Sequence, residues 1–488
     1  MNRTKKKDKI KTKQLKHRKH RKQTKHIKQS KNKIIKSKKT SFTKHNNTYP
    51  NIHHYNHKLY DKKSDILKFQ YTPKLRGGKF LDKGGFGCVI TPALPCTSSD
   101  KNLKNSVSKI IKHQTDTLIK ELKVSNILKK IDPEHKFYIT IDKYCFINEI
   151  PEHRTDLTNV KYKDDDLSDY SINTTKLLDK YGKKKKIDKK FCDVDLALKP
   201  VNLIMPYAGI SLSSIMKTKR KGYKDDNKSS NNIKSKMHNM FINNLKIYFK
   251  HLVIGLLKMH NNRIVNKDIK QRNIMLDLQA DKEKDTHTNI KTNTHTNTHT
   301  NTNTNTNNIM SIRYIDFGLS EFLTNEFCKD ISNIGLKGTP FYLSPELFVC
   351  AFIIKYKDHS EKHQIKKINE YIEKNVVKAL EIINEKEIIS KMNSTIELLY
   401  KKIKYLYEKD KLLETYFGSE TNKYNGYIQK ADVYSLGLSI YETLYKYSGI
   451  NVKKNETLYN LLLHMIDMNP DKRYNIVQCL GHPYFTGK

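Results

Sequence analysis

The chain has no CxxC pair, no tryptophan and almost no acidic residue among its first fifty positions. Its seven cysteines, at 88, 96, 145, 192, 328, 350 and 479, are scattered and odd in number. That pattern argues against a disulfide scaffold and for reduced thiols inside a cell. No stretch reaches about 18 uncharged apolar residues, so neither a membrane-spanning helix nor a membrane partner is expected. The basic N-terminus is followed by no apolar core segment and is therefore not a secretory signal. The missing tryptophan accompanies abundant Lys, Asn, Ile and Tyr, which AT-rich coding explains better than any structural need.

What is present is positive charge. Lys and Arg number 93 against 50 Asp and Glu, a formal net charge of +43, while hydrophobic content is only 36%. Residues 1–50 hold 20 Lys and Arg against Asp8 alone. Residues 1–62 therefore read as a disordered basic arm, unable to bury enough surface to offset its ordering entropy. Its run Lys16-His17-Arg18-Lys19-His20-Arg21-Lys22 suits a polyanion or nucleic acid contact, a nuclear address, or a solvated tail with no specific partner.

From about residue 70 the pattern changes to short β-branched and aromatic runs broken by glycines, as strands demand. Residues 117–130 carry an apolar stripe at 118, 122, 124, 127 and 128, which predicts a helix. Residues 153–200 are polar and lysine-rich, a surface insertion. Residues 235–261 read as one long helix with Met240, Leu245, Phe249, Leu252 and Leu256 on one side. Residues 281–308 are a Thr/His/Asn low-complexity segment that cannot pack, an expanded loop whose removal would leave a compact hairpin. A second insertion spans about 350–425. Between Pro345 and Gly418 there is neither Gly nor Pro, and Ile365, Ile368, Ile372, Val376, Ala379 and Ile383 recur at helical spacing. Their apolar face packs on the host domain or docks a partner.

Two strings carry the chemistry: Asn266-Lys267-Asp268-Ile269-Lys270-Gln271-Arg272-Asn273 and Tyr314-Ile315-Asp316-Phe317-Gly318. They supply two carboxylates, an amide and a lysine, the groups that phosphoryl transfer from a metal nucleotide requires. Upstream, Gly84, Gly85 and Gly87 flank Phe86 and supply positions without a Cβ, which lets the backbone approach phosphates closely. A glycine-rich hairpin turn would read the same. Lys109 lies inside the apolar run Ser106–Ile111 and needs a counter-charge if buried, for which Glu121 is the candidate.

The pattern His/Asn-Arg/Lys-Asp-x-Lys-x-x-Asn followed by Asp-Phe-Gly resembles the protein-kinase superfamily. Gly-Gly-Phe-Gly-Cys-Val followed by Pro-Ala-Leu-Pro-Cys (92–96) looks like the divergent kinase-like proteins of large DNA viruses. The resemblance covers roughly 75–486. It implies an α+β, bilobal fold, with a small antiparallel-sheet N-lobe over 70–208 and a mostly helical C-lobe over 209–486. It implies a serine/threonine protein kinase that uses ATP and Mg²⁺ on a protein substrate, as a soluble protein of the cytoplasm, nucleus or a virion.

Carried over residue by residue, Asp268 would take the proton of the attacking hydroxyl, Lys270 would offset phosphoryl charge, and Asn273 and Asp316 would hold metal. Lys109 and Glu121 would hold the phosphates, and Thr339 would bond Asp268 and Lys270. Gly84, Gly85, Phe86, Gly87 and Val89 would cover the nucleotide. Met205, Pro206, Ala208 and Met275 would surround its base. Asp432 would tie down the catalytic loop, Arg473 would pair with Glu346, and His482-Pro483-Tyr484-Phe485 would end the domain. The chain departs from the family pattern at Asp82, Ser125, Asn266 and Lys267. Asp82, Ser125, Asn266 and the insertions leave open a pseudokinase or scaffold without turnover, and Lys267 in place of arginine argues against regulation by loop phosphorylation. The arm leaves open a nucleic-acid-associated structural protein.

Overall fold

Runs of Val, Ile and Tyr flanked by turn residues pair here as short antiparallel strands, the outcome expected where β-branched side chains meet a half-buried pleated surface. A computed structural model describes residues 79–84, 87–96, 100, 103–111, 115–146, 200–217, 228–278, 310–418 and 424–487. The basic arm (1–62), Gly85 and Phe86, most of the 153–200 insertion and the low-complexity segment (281–308) lie outside the described residues. The fold is α+β, with a small antiparallel sheet followed by many helices.

Strands β1 (Lys79–Gly84), β2 (Gly87–Thr91), β3 (Ser106–Ile111), β4 (Lys143–Phe146) and β5 (Val201–Pro206) form the sheet in the order β1-β2-β3-β5-β4. The register sets Lys109 between Val89 and Leu203. Helix α1 (Thr115–Ile131) buries Leu118, Leu122, Val124 and Leu128. Leu118 and Leu122 pack with Ile111, Val201 and Leu203 of the sheet. Ser125, polar on this buried stripe, accepts the Ile141 N–H at 2.7 Å, so its hydroxyl anchors the segment that leads into β4.

The expected absence of disulfides is corrected: Cys96 and Cys145 are bonded, with Cα atoms 5.6 Å apart. Scatter along the chain says nothing of distance in space. The loop after β2 passes β5, and Asn202 donates from Nδ2 to the Leu94 carbonyl with both sulfurs close by. This pair removes the cysteine argument for a reducing compartment.

Beyond the sheet, β6 (Ile210–Ser211) leads into α2 (Leu212–Lys217), then α3 (Lys228–Asn243) and α4 (Leu245–Asn261). The single helix expected over 235–261 is two helices, interrupted at Asn244. That side chain donates from Nδ2 to the Met240 carbonyl, the competition with backbone bonding that makes Asn a poor helix interior residue. Strands β7 (Ile264–Val265) and β10 (Glu321–Phe322) pair with each other, while β8 (Ile274–Leu278) and β9 (Met310–Tyr314) form a hairpin flanked by β6.

The helix Tyr427–Glu442 is buried along its whole length and forms the axis of the main core. Within 350–425, Ile368, Ile372, Val376, Ala379 and Ile383 are buried in that same core, so the amphipathic face is covered by the host. No helix among the described residues is long and apolar enough to cross a membrane.

Candidate active site

Lys109 occupies the middle of β3, where an unpaired ammonium would be costly to bury. It meets two carboxylates: its Nζ donates to Glu121 Oε1 at 2.8 Å and to Asp316 Oδ1 at 2.8 Å. Glu121 projects from α1, and Asp316 follows β9. Burial pulls the Lys109 ammonium down, but the charges of Asp316 and Glu121 outweigh it and hold the group above the ordinary lysine range. Burial likewise pushes the Asp316 carboxyl up, and the charge and hydrogen bond of Lys109 overcome this, with Lys270 adding to the net downward shift. Gly318 admits the arrangement, since a Cβ there would come within 3.2 Å of Glu121 Oε2.

A second cluster surrounds Asp268. Its Oδ1 accepts the Thr339 hydroxyl at 2.8 Å and the Thr339 N–H at 3.0 Å. Lys270 Nζ donates to Asp268 Oδ2 and to the Thr339 hydroxyl, both at 2.8 Å. Asn273 donates from Nδ2 to the Asp268 carbonyl and carboxylate at 2.9 and 3.1 Å, leaving the amide oxygen as the atom with which it can meet a cation. Every oxygen of Asp268 is thereby oriented, and the carboxylate is held in one rotamer.

The backbone under this cluster is held from below. Asp432, on the buried helix Tyr427–Glu442, accepts the N–H groups of Asn266 and Lys267 at 2.7 and 2.8 Å, and His260 Nε2 lies 3.2 Å from it. Asn266, where the kinase pattern usually carries histidine, accepts the Asp268 N–H at 3.0 Å through its side-chain oxygen. This local turn bond is one that the sequence pattern alone does not reveal. Lys267 and Asp316 adopt left-handed backbone at φ 67° and 62°, conformations that non-glycine residues hold only where their surroundings enforce them. Gly338 (φ 126°) lies so close to the Lys267 carbonyl that a Cβ would sit 2.3 Å from its oxygen.

Lys267 is buried. Burial lowers its ammonium to about 8, and Glu321 is the strongest charge opposing that shift. Its Nζ donates to the Asn333 carbonyl at 3.3 Å.

The other expected residues lie around these clusters. Val89 is opposite Lys109, and Gly84 pairs with Gly87 across the β1–β2 turn. A Cβ at Gly87 would be 1.8 Å from the Ile110 carbonyl oxygen, so only glycine fits. Met205 and Pro206 end β5, with Met205 against the α1–sheet core, and Ala208 is buried just beyond. Met275 lies in β8 between Ser211 and Arg313. No family model matches the chain, and no curated protein matches it.

Glu346 and Arg473 form a separate, sealed pair at 2.6 and 2.9 Å, with Ser344 donating to Glu346 and the guanidinium over the Tyr434 ring. A polar cavity of about 480 Å³ lined by Glu414, Lys430, Asp471 and Arg473 shares no residue with the Lys109 and Asp268 clusters. Its Lys430 and Asp471 are already bonded to Pro470, Lys402 and Tyr427. It adds no chemistry to the site. Sequence reasoning missed Glu321, whose carboxylate receives Lys120 and Lys337. No motif marks it, because its partners come from distant segments.

Proposed function

We propose that the chain is a serine/threonine protein kinase, built on a two-lobed kinase-like fold, that transfers the γ-phosphoryl group of ATP to a protein hydroxyl. One observation carries this reading. Lys109, Glu121 and Asp316, from three separate segments, meet at 2.8 Å contacts, and the charge of Lys270, which binds Asp268 and Thr339, acts on Asp316.

The donor set fits magnesium. A hard cation carried with phosphates needs one or two carboxylate or amide oxygens from the protein, which Asp316 and Asn273 provide. No group of three or more His, Cys, Asp or Glu suited to a metal occurs among the described residues, and phosphate-bound magnesium requires none. Bound there, the ion would offset charge on the phosphate oxygens.

The chain's own groups do the rest. Lys109, fixed by Glu121, holds the inner phosphates. Asp268 accepts the proton of the substrate hydroxyl as its oxygen forms the new bond to phosphorus and the bridging oxygen departs with ADP. Lys270 offsets charge on the transferring group, and Thr339 keeps Asp268 aimed. Positioning and electrostatics supply nearly all the acceleration in such chemistry.

The sequence carries Asp82 where the kinase pattern has its first glycine, and that departure favours the second reading, a catalytically weak scaffold. A peptide-library assay with labelled ATP separates them. The parent is expected to label Ser and Thr peptides, with Lys109→Met slower by about 100-fold or more. Equal rates for the two proteins contradict the kinase reading, and Mg-ATP binding without transfer by the parent favours the scaffold.

A further inference from the structure

Two lysines meet on one carboxylate beside the proposed site, and a third lies within its field. Glu321 on β10 is buried, and it accepts Lys120 Nζ from α1 at 3.2 Å and Lys337 Nζ at 3.4 Å. Lys267 is buried within the same field. Each lysine adjoins the machinery in sequence: Lys120 precedes Glu121, Lys267 precedes Asp268, and Lys337 lies two residues before Thr339. Glu321 itself is fixed by the pairing of β10 with β7, where it lies opposite Val265, and the preceding Ser320 donates to the Asn266 carbonyl.

We infer that Glu321 is a positioning residue of the proposed active site: its carboxylate ties α1 to the loop around Lys337 without any phosphate added to the loop, on a strand that its pairing with β7 and the Ser320 bond hold against the turn carrying Asp268. The chemistry argues for this assignment. A cluster of cations from separate segments is what an added phosphate would otherwise gather into order. Here a carboxylate encoded in the chain already occupies the centre. Lysines, as point charges, bind a single carboxylate oxygen adequately, whereas the bidentate grip that favours arginine for phosphate is missing. Lys120 and Lys337 each bond the same oxygen, Glu321 Oε1. The consequence for α1 is direct, because a helix held at Lys120 keeps the adjacent Glu121 against Lys109.

The geometry stands without the kinase reading, but the effect on turnover rests on it, and the experiment separates the two. Full-length parent, Glu321→Gln, Glu321→Asp and a Lys120→Gln/Lys337→Gln double variant are treated with phosphatase and checked by mass spectrometry. Turnover and backbone hydrogen exchange are then measured. The dephosphorylated parent is expected to keep its kcat. Glu321→Gln should lose about 10-fold or more in kcat while the KM for ATP moves less than about threefold, and Glu321→Asp should recover most of the loss. Exchange should rise in 115–131 and 333–339 for Glu321→Gln and for the double variant, whose lysines are half exposed and tolerate replacement.

Loss of activity from the parent on phosphatase treatment overturns the inference. So does a Glu321→Gln protein with parental kcat and parental exchange, or exchange that rises equally in the buried helix Tyr427–Glu442. If no protein, parent included, transfers phosphate, the kinase reading fails. Localised exchange then still upholds the tie, and parental or uniform exchange overturns it.

Discussion

Two ion clusters in this chain use similar charges for opposite ends. Arg473 and Glu346 are sealed, with side chains 0% exposed, and their bonds are closed by Ser344, the Asp467 carbonyl and the Lys430 carbonyl. Lys109, Glu121 and Asp316 are 14%, 6% and 32% exposed, and Asp316 turns through left-handed backbone to reach its partner. The sealed pair has no capacity left for a ligand, and it joins the segment at 344–346 to the one at 467–473. The open cluster has two carboxylates for one ammonium, an excess of acceptor oxygens at an accessible position. Burial with complete satisfaction marks a clasp of the fold, whereas partial exposure with strained backbone marks a place for binding.

Under the kinase reading the largest effect falls on turnover. Asp268→Asn, beside the open cluster, is expected to lower kcat by about 10⁴-fold, equivalent to about 5 kcal/mol of barrier, while the protein still folds. Steady-state transfer of labelled phosphate and a calorimetric melt check this together. Breaking the sealed side should do the reverse. Arg473→Met leaves the Glu346 charge buried alone and is expected to destabilise by about 3–5 kcal/mol in urea unfolding, while the protein that remains folded binds Mg-ATP as the parent does.

The smallest effect concerns Lys267, buried beside the turn that carries Asp268. Burial sets the Lys267 ammonium at about 8 in the fold against the ordinary lysine value of 10.5 in the unfolded chain. Between those values the unfolded chain holds more protons, so this group makes stability rise with pH from about 8 to 10.5 and contributes no slope well below 8. Lys267→Met should remove that rise, seen by comparing urea midpoints of parent and variant across the alkaline range.

Much of the site is legible because its groups sit at short fixed spacings. Asp268, Lys270 and Asn273 fall on one turn, and Asp316 follows a strand that pairs with the strand after Asn273. The α1 stripe and the apolar face near 365–383 were legible because burial follows helical periodicity directly. Other features depend on distances that no local pattern encodes. The Asn244 break arises from a side chain competing for a backbone carbonyl. Cys96 and Cys145 meet because the loop after β2 and strand β4 both lie against Asn202 of β5. Glu321 gathers Lys120 from 201 positions away, and Asn266 looks like the loss of an aromatic contact until its oxygen is seen capping Asp268.

The most direct measurement is calorimetric binding of a non-hydrolysable ATP analogue to the parent and to Asp316→Asn, with and without Mg²⁺. The account expects magnesium to tighten binding to the parent by about 10-fold or more and to leave the variant nearly unaffected. Equal magnesium-dependent tightening in both proteins would contradict a nucleotide site built around Lys109 and Asp316.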